Sequence, residues 1–126
     1  MKNYNYLIKK ASFLRNIPQG RSCHISFILY KKTILSVGFN LPYKSHPLAK
    51  KFHFRFFSQH AELDAITNFN PNFSELKYCT MVNIRFRKDN GQIAMSKPCL
   101  QCQELLKKFG IVEIYYTTNS GTIERL

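Results

Sequence analysis

Two short runs of this sequence carry residue types that can do chemistry together: His60-Ala61-Glu62 and Pro98-Cys99-Leu100-Gln101-Cys102. One imidazole and two thiolates offer a zinc ion three protein ligands and leave its fourth tetrahedral position for water, the arrangement of catalytic zinc sites rather than structural ones. The metal lowers the pKa of that water toward neutrality. A carboxylate two residues beyond the imidazole, in the first turn of the same predicted helix, reaches the water without ligating the metal and can carry its proton. His60, Cys99 and Cys102 are therefore the expected ligands, Zn2+ the expected cofactor and Glu62 the expected acid-base.

Taken singly, neither run is specific. A CxxC pair serves equally as a redox pair or as half of a structural zinc site, and HxE occurs by chance in many helices. What joins them is placement, since each sits at the start of a predicted helix. The positive end of a helix favours thiolate over thiol, and Pro98 costs nothing in a first turn.

The elements that must hold these runs are legible in the apolar periodicity. Tyr6, Leu7, Ala11, Phe13 and Leu14 recur at near-helical spacing over 3–15, and Ile17-Pro18-Gln19-Gly20 stops that helix. Residues 24–30 and 33–38 are strand-like runs joined at Lys31-Lys32 as a hairpin. Residues 40–58 show no clear period and read as a long loop, which in a compact domain is usually functional. A short helix over 60–68, a strand over 78–86, a turn at 88–91, a helix from Pro98 to Phe109 stopped by Gly110, a strand over 111–117 and a last strand over 122–126 complete the chain. The order α-ββ-α-β-α-β-β predicts an α/β protein: a five-stranded mixed sheet between helices, three layers α-β-α, in one domain spanning 1–126.

Composition narrows the setting. No apolar run approaches the roughly 18 residues of a membrane span, and the N-terminus lacks the apolar stretch of a secretory signal. With cysteines suited to metal, the expectation is a soluble intracellular, cytoplasmic protein without a membrane partner. Charge is the outlying quantity, at +12 from 19 Lys and Arg against 7 Asp and Glu. Met1 to Ala61 holds eleven basic residues and no acid. Such one-sided charge points to a phosphate-bearing partner, and otherwise to a solvated basic face.

Within the long loop, Phe52, Phe54, Phe56 and Phe57 interleave with Lys51, His53 and Arg55. Aromatic faces for bases and cations for phosphates are what single-stranded nucleic acid requires; a β-like segment burying alternate Phe rings would show the same pattern. Lys50, Lys51, His53 and Arg55 are the expected nucleic-acid contacts, and His46 is a further candidate for phosphate or substrate. Cys23 and Cys79 read as small core residues, and His24, at the start of a strand, as structural.

Together, His60-Ala61-Glu62 and Pro98-Cys99-x-x-Cys102 resemble the signature of the cytidine/deoxycytidylate deaminase superfamily of zinc-dependent hydrolases. The resemblance covers nearly the whole chain and implies the cytidine-deaminase-like fold, with hydroxide attacking C4 of cytosine or C6 of adenine. Gly38-Phe39-Asn40 is similar to the family's Gly-x-Asn, which implies that Asn40 reaches the base or sugar. It further implies a base contact from the Ala61 N–H and an acceptor for the departing amino group in the Ser96 carbonyl. In overall length and in the 40–60 layout the chain looks closest to small phage and viral members.

Two features pull the substrate in different directions. Met95-Ser96-Lys97-Pro98-Cys99 stands where antiviral polynucleotide deaminases carry Ser-Trp-Ser-Pro-Cys, and the short Asn119-Ser120-Gly121 link resembles the antiparallel last hairpin of free-cytidine deaminases. The charge and the long loop favour nucleic acid. The reading adopted is conversion of cytosine to uracil within single-stranded DNA or RNA. The alternatives are a free nucleotide deaminase of nucleotide metabolism acting on deoxycytidylate, cytidylate or cytidine, an adenosine deaminase on RNA, and a silent nucleic-acid-binding relative; homo-oligomerisation is compatible with each.

Overall fold

The computed structural model describes residues 3–14, 23–45, 58–69 and 73–126. Strands β1 (Cys23–Tyr30) and β2 (Thr33–Phe39) form the predicted hairpin, turned at Lys31-Lys32 with Lys31 in the left-handed region at φ 56°. Between the other elements lie β3 (Leu41–Ser45), β4 (Ser58–Gln59), β5 (Thr80–Phe86), β6 (Ile93–Ala94), β7 (Glu113–Thr117) and β8 (Ile123–Arg125). The main sheet runs β2-β1-β5-β7-β8, with β6 added to β5. Only the β5–β7 pairing in it is parallel, so the sheet is mixed, as predicted, and has six strands where five were expected, because the short β6 adds to β5.

Alternation along the strands sorts side chains into two cores. Phe27, Leu29, Val82 and Ile84 face helix α1 (Asn5–Leu14), packing with Leu7 and Ala11. Ile28, Met81 and Ile114 face the opposite way, toward α2 (Ala61–Asn68) and α3 (Leu100–Lys108), where Leu63, Ile66, Cys102, Leu105 and Leu106 meet them. The result is the three-layer α-β-α architecture. Cys23 and Cys79 join these cores as expected.

Several boundaries differ from the periodicity, each for a local reason. The buried stripe of α1 is Leu7 and Ala11, continued by Tyr4 just before the helix, whereas Tyr6 and Phe13 are exposed because they lie off that stripe. Residues 73–78 form a 3-10 turn with Tyr78 exposed, so the following strand starts at Thr80. The ends of the expected 40–58 loop are not loop: β3 and β4 pair antiparallel there, Leu41 opposite Gln59. Pro98 precedes α3 instead of opening it, since Cys99 is extended at ψ 166° and helical geometry begins at Leu100.

Helix α2 carries half of the candidate site, and its seat is unusually close. A Cβ at Gly38 of β2 would collide with the α2 backbone at Ala61 and Ala65, 2.7 Å from the Ala65 Cα. Glycine is required here by proximity. The same seat is fixed by polar bonds: Ser36 Oγ donates to the Ala65 carbonyl at 2.7 Å, the Phe39 N–H to Asp64 Oδ2 at 2.9 Å, and Asn68 Nδ2 to the Val37 carbonyl at 3.1 Å. Residues 61–66 are all buried, and full burial of Leu63 and Ile66 stabilises the contact by roughly 1.5–3 kcal/mol each.

Candidate metal centre

The two helices present their N-termini to one another. His60 is the N-cap of α2, extended at ψ 158°, and Cys99 is the N-cap of α3, its sulfur accepting the Cys102 N–H at 3.4 Å. Cys102 follows in the first turn of α3, fully buried, while Cys99 is exposed. The His60 Nδ1 lies 3.4 Å from the Cys102 sulfur and 3.7 Å from the Cys99 sulfur. All three donor atoms fall within 4.8 Å of one another, so the predicted ligands form one group.

These separations can be set against a metal. With bonds of about 2.0 Å to nitrogen and 2.3 Å to sulfur at tetrahedral angles, a nitrogen and a sulfur sharing one zinc stand about 3.5 Å apart. The donor set therefore fits a tetrahedral ion with a position left over. Helix polarity and hydrogen bonding prepare Cys99 for it. The Cys99 thiol is held down to about 4, first by the hydrogen bond from Cys102 and then by those from His60 and the Cys102 N–H, against the effect of burial. His60 is raised, chiefly by its bond to Cys99. Cys102 is pushed well up by its hydrogen bond to Cys99, by burial and by the charge of Glu62.

Glu62 is 1% exposed, beside Cys102 on the first turn of α2. Its Oε2 accepts from Asn83 Nδ2 at 3.1 Å, and its Oε1 is buried without a hydrogen-bond partner among the described residues. A buried carboxylate with one anchored and one open oxygen, next to the candidate metal ligands and not among them, can move protons.

The segment from Met95 to Cys99 delivers the second half of the site by wedging between the diverging ends of β5 and β7. Ala94 pairs with Arg85, the Ser96 N–H donates to the Thr117 carbonyl at 2.9 Å, and Ser96 Oγ donates to the Asn83 carbonyl at 2.8 Å. The Ser96 carbonyl accepts from Asn83 Nδ2 at 3.3 Å. Gln103 then ties the Pro98 carbonyl back to α3 at 2.9 Å.

The remaining sequence candidates divide. Ala61 is the first residue of α2, where an N–H has no helical acceptor. Asn40, half-buried at the end of β2, brackets the start of β1: its Oδ1 accepts from the His24 N–H at 3.1 Å, and its own N–H donates to the His24 carbonyl at 3.2 Å. His46, Lys50, Lys51, His53 and Arg55 lie outside the described residues.

Sequence reasoning missed a polar row on the face of the sheet that receives α2 and α3. Three consecutive cross-strand pairs lie there: Ile28 opposite Met81 in the core, then Ser26 opposite Asn83, then His24 opposite Arg85. His24 is not among the candidate metal ligands. Its Nε2 is buried without a hydrogen-bond partner among the described residues, burial pushes its pKa down, and it feels the charges of Glu62, His60 and Cys99. The available signal was the polar residues at alternate positions of strands otherwise apolar.

The fold is that of a cytidine deaminase. The crystal structure of cytidine deaminase from Mycobacterium leprae matches with a TM-score of 0.57 at 16% identity, covering 99% of this chain and 94% of that one. No protein-family model matches the sequence, and no curated protein matches it.

Proposed function

We propose that this protein is a zinc-dependent hydrolytic deaminase that converts cytosine to uracil, releasing ammonia. The observation that carries this reading is one imidazole and two thiolates within 4.8 Å of one another, with the buried Glu62 carboxylate two residues from the imidazole. His60, Cys99 and Cys102 would hold a zinc ion, which when bound would lower the pKa of the water that attacks. Glu62 moves one proton from the attacking water to the ring nitrogen as the C–O bond forms at C4, then moves the proton of the resulting C4 hydroxyl to the amine, so that the C–N bond breaks and ammonia leaves. The Ala61 N–H holds an edge of the base, the Ser96 carbonyl accepts from the amino group as it departs, and Asn40 binds base or sugar. A catalytically silent zinc protein has no use for the Glu62 carboxylate in this position.

The substrate we favour is a cytosine within single-stranded DNA or RNA, because eleven cations without an acid precede Glu62. A second reading, a free nucleoside or nucleotide, is favoured by the antiparallel pairing of β7 with β8 and by the fold shared with a cytidine deaminase.

Zinc-loaded protein incubated with cytidine, deoxycytidylate and short single strands, with products read by mass, tests both. Deamination replaces NH by O, a gain of about one mass unit per target base, and Glu62→Ala is the control that keeps zinc and loses turnover by about 10²- to 10⁴-fold. For the polymer reading, log K for a single strand should fall with log salt by about 0.7 per phosphate neutralised, and Lys50→Ala, Lys51→Ala and Arg55→Ala together should flatten that slope. Efficient turnover of deoxycytidylate without any binding of oligonucleotides at low salt selects the free nucleotide. No mass change on any of these substrates refutes the cytosine reading.

A further inference from the structure

A side chain on the inward face of a sheet needs a physical reason to be polar, because burial without partners costs free energy. Asn83 is 0% exposed on that face of β5, and its side-chain oxygen accepts one hydrogen bond while its nitrogen donates two. Its Oδ1 accepts from Ser26 Oγ at 2.7 Å, across the β1–β5 ladder where the two residues stand opposite each other. Its Nδ2 donates to Glu62 Oε2 at 3.1 Å and to the Ser96 carbonyl at 3.3 Å. The amide orientation is determined by its neighbours, since the flipped form would set oxygen against a carboxylate and a carbonyl, neither of which can donate.

One buried amide thus touches three elements that arrive at the centre from different parts of the chain: β1 through Ser26, α2 through Glu62, and the strap before α3 through Ser96. Of the two Glu62 oxygens, Oε2 is the anchored one and Oε1 the one with no partner among the described residues.

We infer that Asn83 is the positioning residue of this centre: it fixes the Glu62 carboxylate by Oε2, leaves Oε1 as the oxygen that exchanges the proton, and sets the distance between that carboxylate and the Ser96 carbonyl. This inference rests on the deaminase reading for its kinetic consequence and on the hydrogen bonds alone for its structural one. Ser26 acts one step further out, by holding the amide in its orientation. Misplacement of an acid-base group by about 1 Å costs on the order of 10²-fold in rate without comparable loss of binding.

The test uses the zinc-loaded full chain with Asn83→Ala, Asn83→Asp and Ser26→Ala. The expected result is unchanged zinc content, a fall in kcat of about 10²-fold for both Asn83 variants with KM moved by less than about threefold, and a smaller fall in the same direction for Ser26→Ala. Wild-type kcat in Asn83→Ala, or a loss of activity that follows a proportional loss of zinc, overturns the inference. Where the Asn83 variants do not fold, Ser26→Ala and a spectroscopic arm decide. In ¹H–¹⁵N spectra the Asn83 side-chain NH2 should exchange slowly with solvent and shift on Glu62→Gln, because both hydrogens are donated inside the protein. An Asn83 amide that exchanges freely and ignores Glu62→Gln refutes the positioning role. A wild-type protein without deaminase activity, but with this amide signature, would instead refute the proposed function and leave the Asn83–Glu62 tie standing.

Discussion

The Nδ1 of His60 stands 3.4 Å from the sulfur of Cys102, although 42 residues separate them in the chain. Two helix N-termini converge there because α2 is seated on β2 through Gly38 and α3 is led in by the strap that Ser96 pins to β5 and β7. The candidate ligand set is therefore assembled from elements distant in the chain.

A preassembled set predicts one zinc per chain. Elemental analysis of protein purified without chelators should give that ratio, and His60→Ala, Cys99→Ala and Cys102→Ala should each abolish it. Because the ion binds the folded state, zinc at a hundredfold excess over Kd should stabilise the protein by about 2.7 kcal/mol, seen as a rise in Tm that chelation reverses. Protein lacking zinc under those conditions, with no Tm response to added metal, would overturn the ligand assignment.

Cys99 and Cys102 should differ sharply as nucleophiles in the metal-free protein. The Cys99 pKa is lowered to about 4, so its thiolate dominates above that value and is lost as pH falls through it; Cys102 is buried and raised, so it stays a thiol at neutral pH. Iodoacetamide should alkylate Cys99 selectively, its rate declining only as pH drops through about 4, whereas an ordinary cysteine loses reactivity below about 8.5. Added zinc should protect Cys99. Peptide mapping that finds equal labelling of both residues, or a Cys99 midpoint near that of a free thiol, contradicts the assignment.

Gly38→Ala should strain the contact between β2 and α2, since the new methyl meets backbone atoms of Ala61 and Ala65 and not a side chain that can turn away. Overpacking of this kind costs typically 1–3 kcal/mol. Displacement of α2 also moves His60 and Glu62, so metal affinity should fall together with stability. Denaturant unfolding and zinc titration of the variant are the measurements, and wild-type values in both would mean that the helix shifts freely.

Asn40 has a structural duty that can be separated from a substrate duty. Its Oδ1 accepts the His24 N–H, so Asn40→Ala should lose about 0.5–1.5 kcal/mol, whereas Asn40→Asp keeps the acceptor and most of that stability. If Asn40 also binds substrate through its amide, Asn40→Asp should still lower kcat/KM while zinc content is unchanged. Recovery of both stability and kcat/KM in Asn40→Asp would restrict Asn40 to holding the start of β1.

The chemistry was legible in the sequence because it is carried by residue types at short spacing: an imidazole and carboxylate two apart, two thiolates three apart, each run beside a helix start. The order of the main elements was legible too, apart from the short β3, β4 and β6, since period two and period 3.6 are written into Phe27, Leu29, Val82 and Ile84 and into Leu7 and Ala11. What spacing along the chain does not encode is the meeting of distant elements. The cross-strand pairing of Ser26 with Asn83, and the reach of Asn83 to Glu62 and Ser96, depend on ladder register and on how closely α2 approaches β2. A one-residue slip in that register would turn Asn83 to the other face. The charges of Glu62, His60 and Cys99 likewise reach His24 only in the packed sheet. The residue types and their local order thus determined which groups form the candidate site, and tertiary packing decided which buried polar side chains hold them in place, because hydrogen bonds between strands and helices form only where those elements are already brought together.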